Sequence, residues 1–124
     1  MKDIKNKNYL ESLKHALNGI RSTAKTERNF RIQIFFGILA VMSCIIFRVE
    51  LWLFVLVAFA ICLVLATELI NTAIEALTDL YSNGKLHPLA KKAKDAAAAA
   101  VLFAALFAVV VGIAVAISIV GRFL

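Results

Sequence analysis

Three long apolar runs, separated by short polar breaks and preceded by one amphipathic segment, organise this chain. In residues 9–24, Tyr9, Leu10, Leu13, Leu17, Ile20 and Ala24 recur at three- and four-residue spacing, while Lys14, Asn18, Arg21 and Lys25 form a polar side. That period predicts an amphipathic helix, and Asn8 followed by Glu11 resembles a capping box at its start. Such a helix lies most simply on a membrane surface with its basic residues near the headgroups; packing on a cytosolic partner is the alternative. A first span is predicted over about 32–47, followed by the polar turn Arg48-Val49-Glu50. A second helix is predicted over about 51–80. It is apolar to Ala66 and continues without a breaker through a polar stretch. Tyr81-Ser82-Asn83-Gly84 ends it, because Asn and Gly tolerate the left-handed cap conformation, and His87-Pro88 is expected to keep the following chain irregular. A third span is predicted over about 96–120. Purely apolar stretches one and two fall short of the ~20 residues that cross hydrocarbon, so their flanking turns complete the crossing.

Composition fixes the environment. Of 124 residues, 62% are hydrophobic, 18% are charged and one is proline. This excludes a disordered tail, a disulfide scaffold and an ordinary soluble enzyme. One domain, residues 1–124, is expected, and it is too short to hide so many apolar side chains in its own core. The fold class is therefore an all-α integral membrane protein with a surface helix and three transmembrane helices. Net charge is +6, with eight of the 14 Lys and Arg in residues 1–31 and four in 85–94. Basic clusters beside apolar runs follow the positive-inside rule. They put the N-terminus and the segment after residue 80 in the cytoplasm, and the 48–50 turn and the C-terminus outside. No basic stripe carries exposed aromatics, which argues against nucleic acid. Residues 1–30 lack the apolar h-region of a secretory signal. Cys44 and Cys62 read as small apolar residues, Trp52 as an interfacial anchor, and the run Ala96–Ala100 as a site of close helix contact.

The second helix carries the strongest chemical signal. At 100° per residue, Asn71 lies about −60°, Glu75 about −20° and Asp79 about +20° from Glu68, so all four share an arc of about 80°. Each carboxylate at membrane depth costs at least ~2.5 kcal/mol at the centre, and the three also repel. Bound cations, nearby Lys or Arg, or protonation must compensate; a solvated helix end is the bland alternative. Lys94-Asp95 opens the third span on the same side, where a Lys and a helix N-terminus suit a phosphate. Glu27 opens the first span at that level, with an ion pair to Arg28 or Arg31 as its ordinary role. Carboxylates with phosphate oxygens hold Mg²⁺, and a carboxylate can take a proton from an alcohol. The combination implies phosphoryl transfer to a lipid hydroxyl at the membrane surface. A small multispan cation or proton transporter is the competing reading, although it would place its acid nearer the bilayer middle; a structural membrane subunit is a third. No Walker-type glycine loop is present. Three spans cannot cover such a polar face alone, so a homo-oligomer with shared sites is expected.

The stretch Glu68-x-x-Asn71-x-x-x-Glu75-x-x-x-Asp79, with Ala93-Lys94-Asp95-Ala96 and Glu27-x-x-Phe30-Arg31, resembles the prokaryotic diacylglycerol kinase family from Ser12 to the end of the third span. Residues 26–30 and 87–95 look like its Gram-positive branch, whose members act mainly as undecaprenol kinases. The resemblance implies a homotrimer in the bacterial cytoplasmic membrane, with ATP and Mg²⁺ and with the active site cytoplasmic. The acceptor it implies is undecaprenol, with diacylglycerol as the alternative. It implies Glu68 as general base, Glu27 and Glu75 as metal ligands, and Asn71, Glu75, Asp79, Lys94 and Asp95 around the nucleotide, joined by His87. Arg21, Arg31 and Glu68 would meet the lipid. Gln33 departs from the pattern, where relatives carry His or Glu. His15 and Asn8 stand where the Gram-negative type has nucleotide contacts.

Overall fold

The computed structural model describes residues 8–124. Lys2, Lys5 and Lys7, counted above in the N-terminal basic cluster, lie outside the described residues. The chain forms four helices: α1 (Tyr9–Thr26), α2 (Arg28–Ile46), α3 (Leu51–Ser82) and α4 (Pro88–Gly121). The last three are long and apolar enough to cross a membrane, as the composition requires.

Local chemistry sets the ends. The Asn8 side chain accepts from the Glu11 backbone N–H at 2.9 Å, so it caps α1 as its spacing predicts. Arg48, in the tight turn between α2 and α3, takes φ 49°. Asn83, at φ 52°, and Gly84, at φ 77°, turn the chain out of α3. One expectation needs correction. The helix that carries the third apolar run does not begin near Ala96, and Pro88 does not keep the chain irregular. Pro88 starts α4, with the His87 side chain as N-cap accepting from the Leu89 N–H at 3.2 Å. Proline lacks the N–H that the first helical position leaves unpaired, and its fixed φ suits that position. The helix that carries the first apolar run likewise starts earlier than that run, at Arg28.

At 32 and 34 residues, α3 and α4 run about 48 and 51 Å, well beyond the ~30 Å hydrocarbon core. Their joined ends therefore reach past the lipid. The helices pack antiparallel around α3. Cys44 of α2, Val57 and Ala60 of α3, and Val111 of α4 form the buried core, and Phe59 meets Phe107 edge-on at 5.8 Å. Small residues permit this approach; a Cβ at Gly37 would stand 3.3 Å from Ile61 Cγ2. Both cysteines are free thiols. Of the alanine run 96–100, only Ala97 is buried within one chain. Phe35, Phe36, Phe103, Val110 and many other large apolar side chains face outward, the surface of a protein whose solvent is lipid.

On α1, Tyr9, Leu10, Leu13 and Leu17 are exposed and Thr23 is its buried residue. The helix therefore joins the bundle near its C-terminal end and leaves its apolar stripe uncovered, as a surface helix would. At the opposite end of the bundle, the Arg122 guanidinium donates to the Phe47 and Arg48 carbonyls, and Trp52 donates to Glu50 at 2.5 Å.

Candidate active site

Glu68 lies seventeen residues on from Leu51, an axial rise of about 26 Å, so the acidic stripe begins where α3 nears the edge of the hydrocarbon. The stripe is graded. Glu68 is 4% exposed, Asn71 and Glu75 are half-buried, and Asp79 is exposed. A buried carboxylate needs a partner, and Glu68 has one across the α2–α3 interface: Gln33 Nε2 donates to its Oε2 at 3.2 Å. Further along α3, Asn71 Nδ2 donates to Glu75 Oε1 at 3.4 Å. Asp79 forms an ion pair with Lys94 of α4, and the Glu75 charge also acts on Lys94. The α3–α4 hairpin thus brings Asn71, Glu75, Asp79 and Lys94 to one end of the bundle.

Other expected site residues are engaged elsewhere. Asp95 pairs with Lys91 one turn earlier at 2.6 Å, on an exposed surface. His87 caps α4 and meets Tyr81 edge-on at 6.3 Å. Arg31 Nη1 donates to the Ala24 and Lys25 carbonyls at 2.8 and 3.1 Å, so within one chain its guanidinium closes the end of α1. Arg21 is exposed on α1. Glu27 sits half-buried at the α1–α2 junction, as C-cap of α1 and N-cap of α2. It does not form the ion pair with Arg28 or Arg31 that its neighbours invite; the ion pairs seen among the described residues are Lys91–Asp95 and Asp79–Lys94.

Three polar atoms near the stripe are buried without a partner: Gln33 Oε1, Asn71 Oδ1 and Thr72 Oγ1. Such atoms are rare in finished interiors and call for something to satisfy them. Thr67 and Thr78 return their hydroxyls to their own helix backbone; Thr72 does not. The angular count that found the acids also finds Thr72, at about +40° from Glu68, but its small uncharged side chain gave no electrostatic signal. Among the described residues no group of three or more acidic, His or Cys side chains could enclose a metal by itself. Mg²⁺ in a phosphate site asks for less, namely one or two carboxylates with the phosphates supplying the rest. Glu75 and the unpaired Asn71 Oδ1 offer hard oxygen donors of that kind.

Gln33 also stands at one end of an apolar cavity of about 420 Å³ between α2, α3 and α4. It runs past Gly37 and Ala60 towards Val111 and Ile119. A hydrocarbon-lined groove therefore reaches the amide that holds the one buried acid of the stripe.

Comparison with known proteins identifies the family. Residues 14–116 match the family model for prokaryotic diacylglycerol kinase. A protein of Synechocystis sp. named diacylglycerol kinase is 42% identical over 105 residues, covering 85% of this chain and 60% of that one. A Bacillus subtilis protein named undecaprenol kinase is 42% identical over 107 residues, 85% of each chain. A Haemophilus influenzae diacylglycerol kinase is 31% identical over 101 residues, covering 77% of this chain and 80% of its own. With its three membrane-crossing helices and a family match over most of its length, this chain belongs to the prokaryotic diacylglycerol kinase family of membrane enzymes.

Proposed function

We propose that the protein transfers the γ-phosphoryl group of ATP to the hydroxyl of a membrane lipid alcohol, with undecaprenol as the acceptor. The observation that carries this reading is Glu68: a buried carboxylate at the foot of a polar face, held by an amide that lines the end of an apolar groove. A lipid in the groove brings its hydroxyl to Glu68 while its tail stays in an apolar environment. Glu68 Oε2 is held by Gln33, which leaves Oε1 to take the hydroxyl proton. The lipid oxygen then bonds to the γ-phosphorus, the bond from that phosphorus to the β-bridging oxygen breaks, and ADP leaves with the electron pair. Phosphoryl transfer asks the protein chiefly for positioning and charge.

Lys94 supplies that charge at the nucleotide end, exchanging Asp79 for phosphate oxygens. Glu75 and Glu27 would hold Mg²⁺, which would neutralise phosphate charge during the transfer. Asn71, Asp79, Asp95 and His87 line the nucleotide side, while Arg21 and Arg31 border the lipid. The site faces the cytoplasm, a reading that the basic clusters beside the apolar runs support. The protein works as a homotrimer. Neighbouring chains would cover the polar face of α3 that one chain leaves partly open to lipid. A carboxylate site of a transporter has no use for Lys94 paired with Asp79 at the far end of the stripe.

The test is direct. Purified protein in mixed micelles with Mg²⁺ and ATP is given undecaprenol or diacylglycerol, and phosphorylated lipid is measured. Undecaprenyl phosphate is the expected product. A faster reaction with diacylglycerol reassigns the acceptor, and no transfer to either alcohol ends the reading.

A further inference from the structure

We propose that the exposed aromatic pair Tyr81 and His87, at the tip of the α3–α4 hairpin, seats the base of the nucleotide, with Tyr81 supplying the stacking surface. The inference rests on the reading of Lys94 as the group that holds the phosphates, and it extends that site to its far end.

Tyr81 is 83% exposed, and His87 beside it is exposed as well. Their ring centroids are 6.3 Å apart and their planes meet at 79°. Two rings at that angle form a corner. A flat aromatic guest can stack on one ring and meet the other edge-on, and both contacts are favoured between aromatic groups. The corner is fixed to the fold on one side. His87 caps α4, and its Nδ1 accepts from the Leu89 N–H at 3.2 Å. The neutral imidazole therefore carries its proton on Nε2, which leaves a donor suited to an acceptor atom on a base.

A tyrosine at the end of a membrane helix is ordinarily an interfacial anchor. Tyr81 lies too far out for that role. It follows Leu51, where the apolar run of α3 begins, by thirty residues, a rise of about 45 Å. The hydrocarbon core takes up only ~30 Å of that length, so the ring stands past the inner headgroups.

The pair is in line with the phosphate end of the site. Glu68, Glu75, Asp79 and Tyr81 follow one another along α3, with Tyr81 about 9 Å beyond Glu75 in rise. On α4, Lys94 follows His87 by seven residues, two turns and about 10 Å, which puts both on one side of the helix. That side faces α3, because Lys94 pairs there with Asp79. A nucleoside triphosphate with its γ-phosphate towards Glu68 and its other phosphates on Lys94 carries its base to the hairpin tip. The other ring pairs among the described residues, Phe35–Phe36, Phe59–Phe107 and Phe47–Phe123, lie on the spans or at the opposite end of the bundle.

The experiment uses the full chain in micelles with saturating lipid alcohol and Mg²⁺. It measures KM for ATP beside the inhibition constant of tripolyphosphate, a probe that has phosphates and no base. Tyr81→Leu removes the ring. It should raise KM for ATP at least fivefold, about 1 kcal/mol, the lower end of what aromatic stacking contributes per base. Tripolyphosphate inhibition should stay within twofold. Tyr81→Phe keeps the ring and should hold KM for ATP within twofold of the parent. His87 is the poorer probe, because replacing it also uncaps α4. A smaller rise in KM with Tyr81→Leu, a tripolyphosphate constant that rises more than twofold with it, or a Tyr81→Phe protein as impaired as Tyr81→Leu overturns the proposal. Lys94→Met separates the two claims, since it should weaken ATP and tripolyphosphate together. If it leaves tripolyphosphate inhibition unchanged, the phosphate assignment falls, whereas the base site is decided by the Tyr81 series. Tripolyphosphate that does not compete with ATP overturns both.

Discussion

Glu68→Gln separates chemistry from architecture more sharply than any other single change. The side chain is 4% exposed and receives one hydrogen bond, from Gln33 Nε2 at 3.2 Å. Glutamine has nearly the same volume and retains an acceptor oxygen for that N–H. The replacement also relieves the interior of a carboxylate. Stability should therefore move by no more than about 1 kcal/mol, the net worth of a typical hydrogen bond. Turnover should respond differently, because a carboxamide cannot take the hydroxyl proton. General-base catalysis contributes about 10²–10⁴-fold, which corresponds to about 3–5 kcal/mol of barrier. Glu68→Leu is the contrasting control, since it leaves the Gln33 N–H buried without a partner at a cost of about 1–3 kcal/mol. Steady-state lipid phosphorylation and thermal unfolding, measured on the same detergent-purified samples, give both quantities. Glu68→Gln should unfold like the parent and turn over at least a hundredfold more slowly. A variant that keeps a tenth of kcat, or that loses activity only in proportion to lost folded protein, refutes the reasoning.

Glu75→Gln should raise the Mg²⁺ concentration needed for half-maximal turnover, read from a Mg²⁺ titration at fixed ATP; an unchanged midpoint removes Glu75 from the metal. Lys94→Met should raise KM for ATP at least tenfold and leave KM for the lipid alone, because Lys94 sits with Asp79 at the nucleotide end of the stripe; equal effects on both substrates would contradict that placement. Gly37→Val should lower the unfolding midpoint and narrow the lipid groove. Its Cβ would stand 3.3 Å from Ile61 Cγ2 before the branch methyls are added, and overpacking of this kind costs about 1–3 kcal/mol. A midpoint equal to that of the parent would show that α2 and α3 give way freely there.

Much of this protein is written locally. Apolar runs longer than any soluble core can absorb fix the three spans, the three- and four-residue period fixes α1, and Asn8 and Asn83 mark helix ends with their own side chains or dihedrals. The acidic stripe is equally local, because helical periodicity alone puts Glu68, Glu75 and Asp79 on one face. Pro88 shows where local reading is ambiguous: before proline a chain is biased away from helix, but at the first helical position proline is favoured, and the His87 cap decides between them. What tertiary structure alone decided is the pairing. Gln33 and Glu68 are 35 residues apart and meet because α2 packs antiparallel on α3 with Gly37 against Ile61. Asp79 finds Lys94 because the 83–87 connection returns α4 along α3. Arg31, expected from the sequence beside Glu27 or the lipid, turns back to close α1. Periodicity and capping are written within a few residues of themselves, whereas the register between helices depends on how whole surfaces interlock. The sequence could therefore name the acids, and only packing could show which amide holds the buried one and which groove reaches that amide.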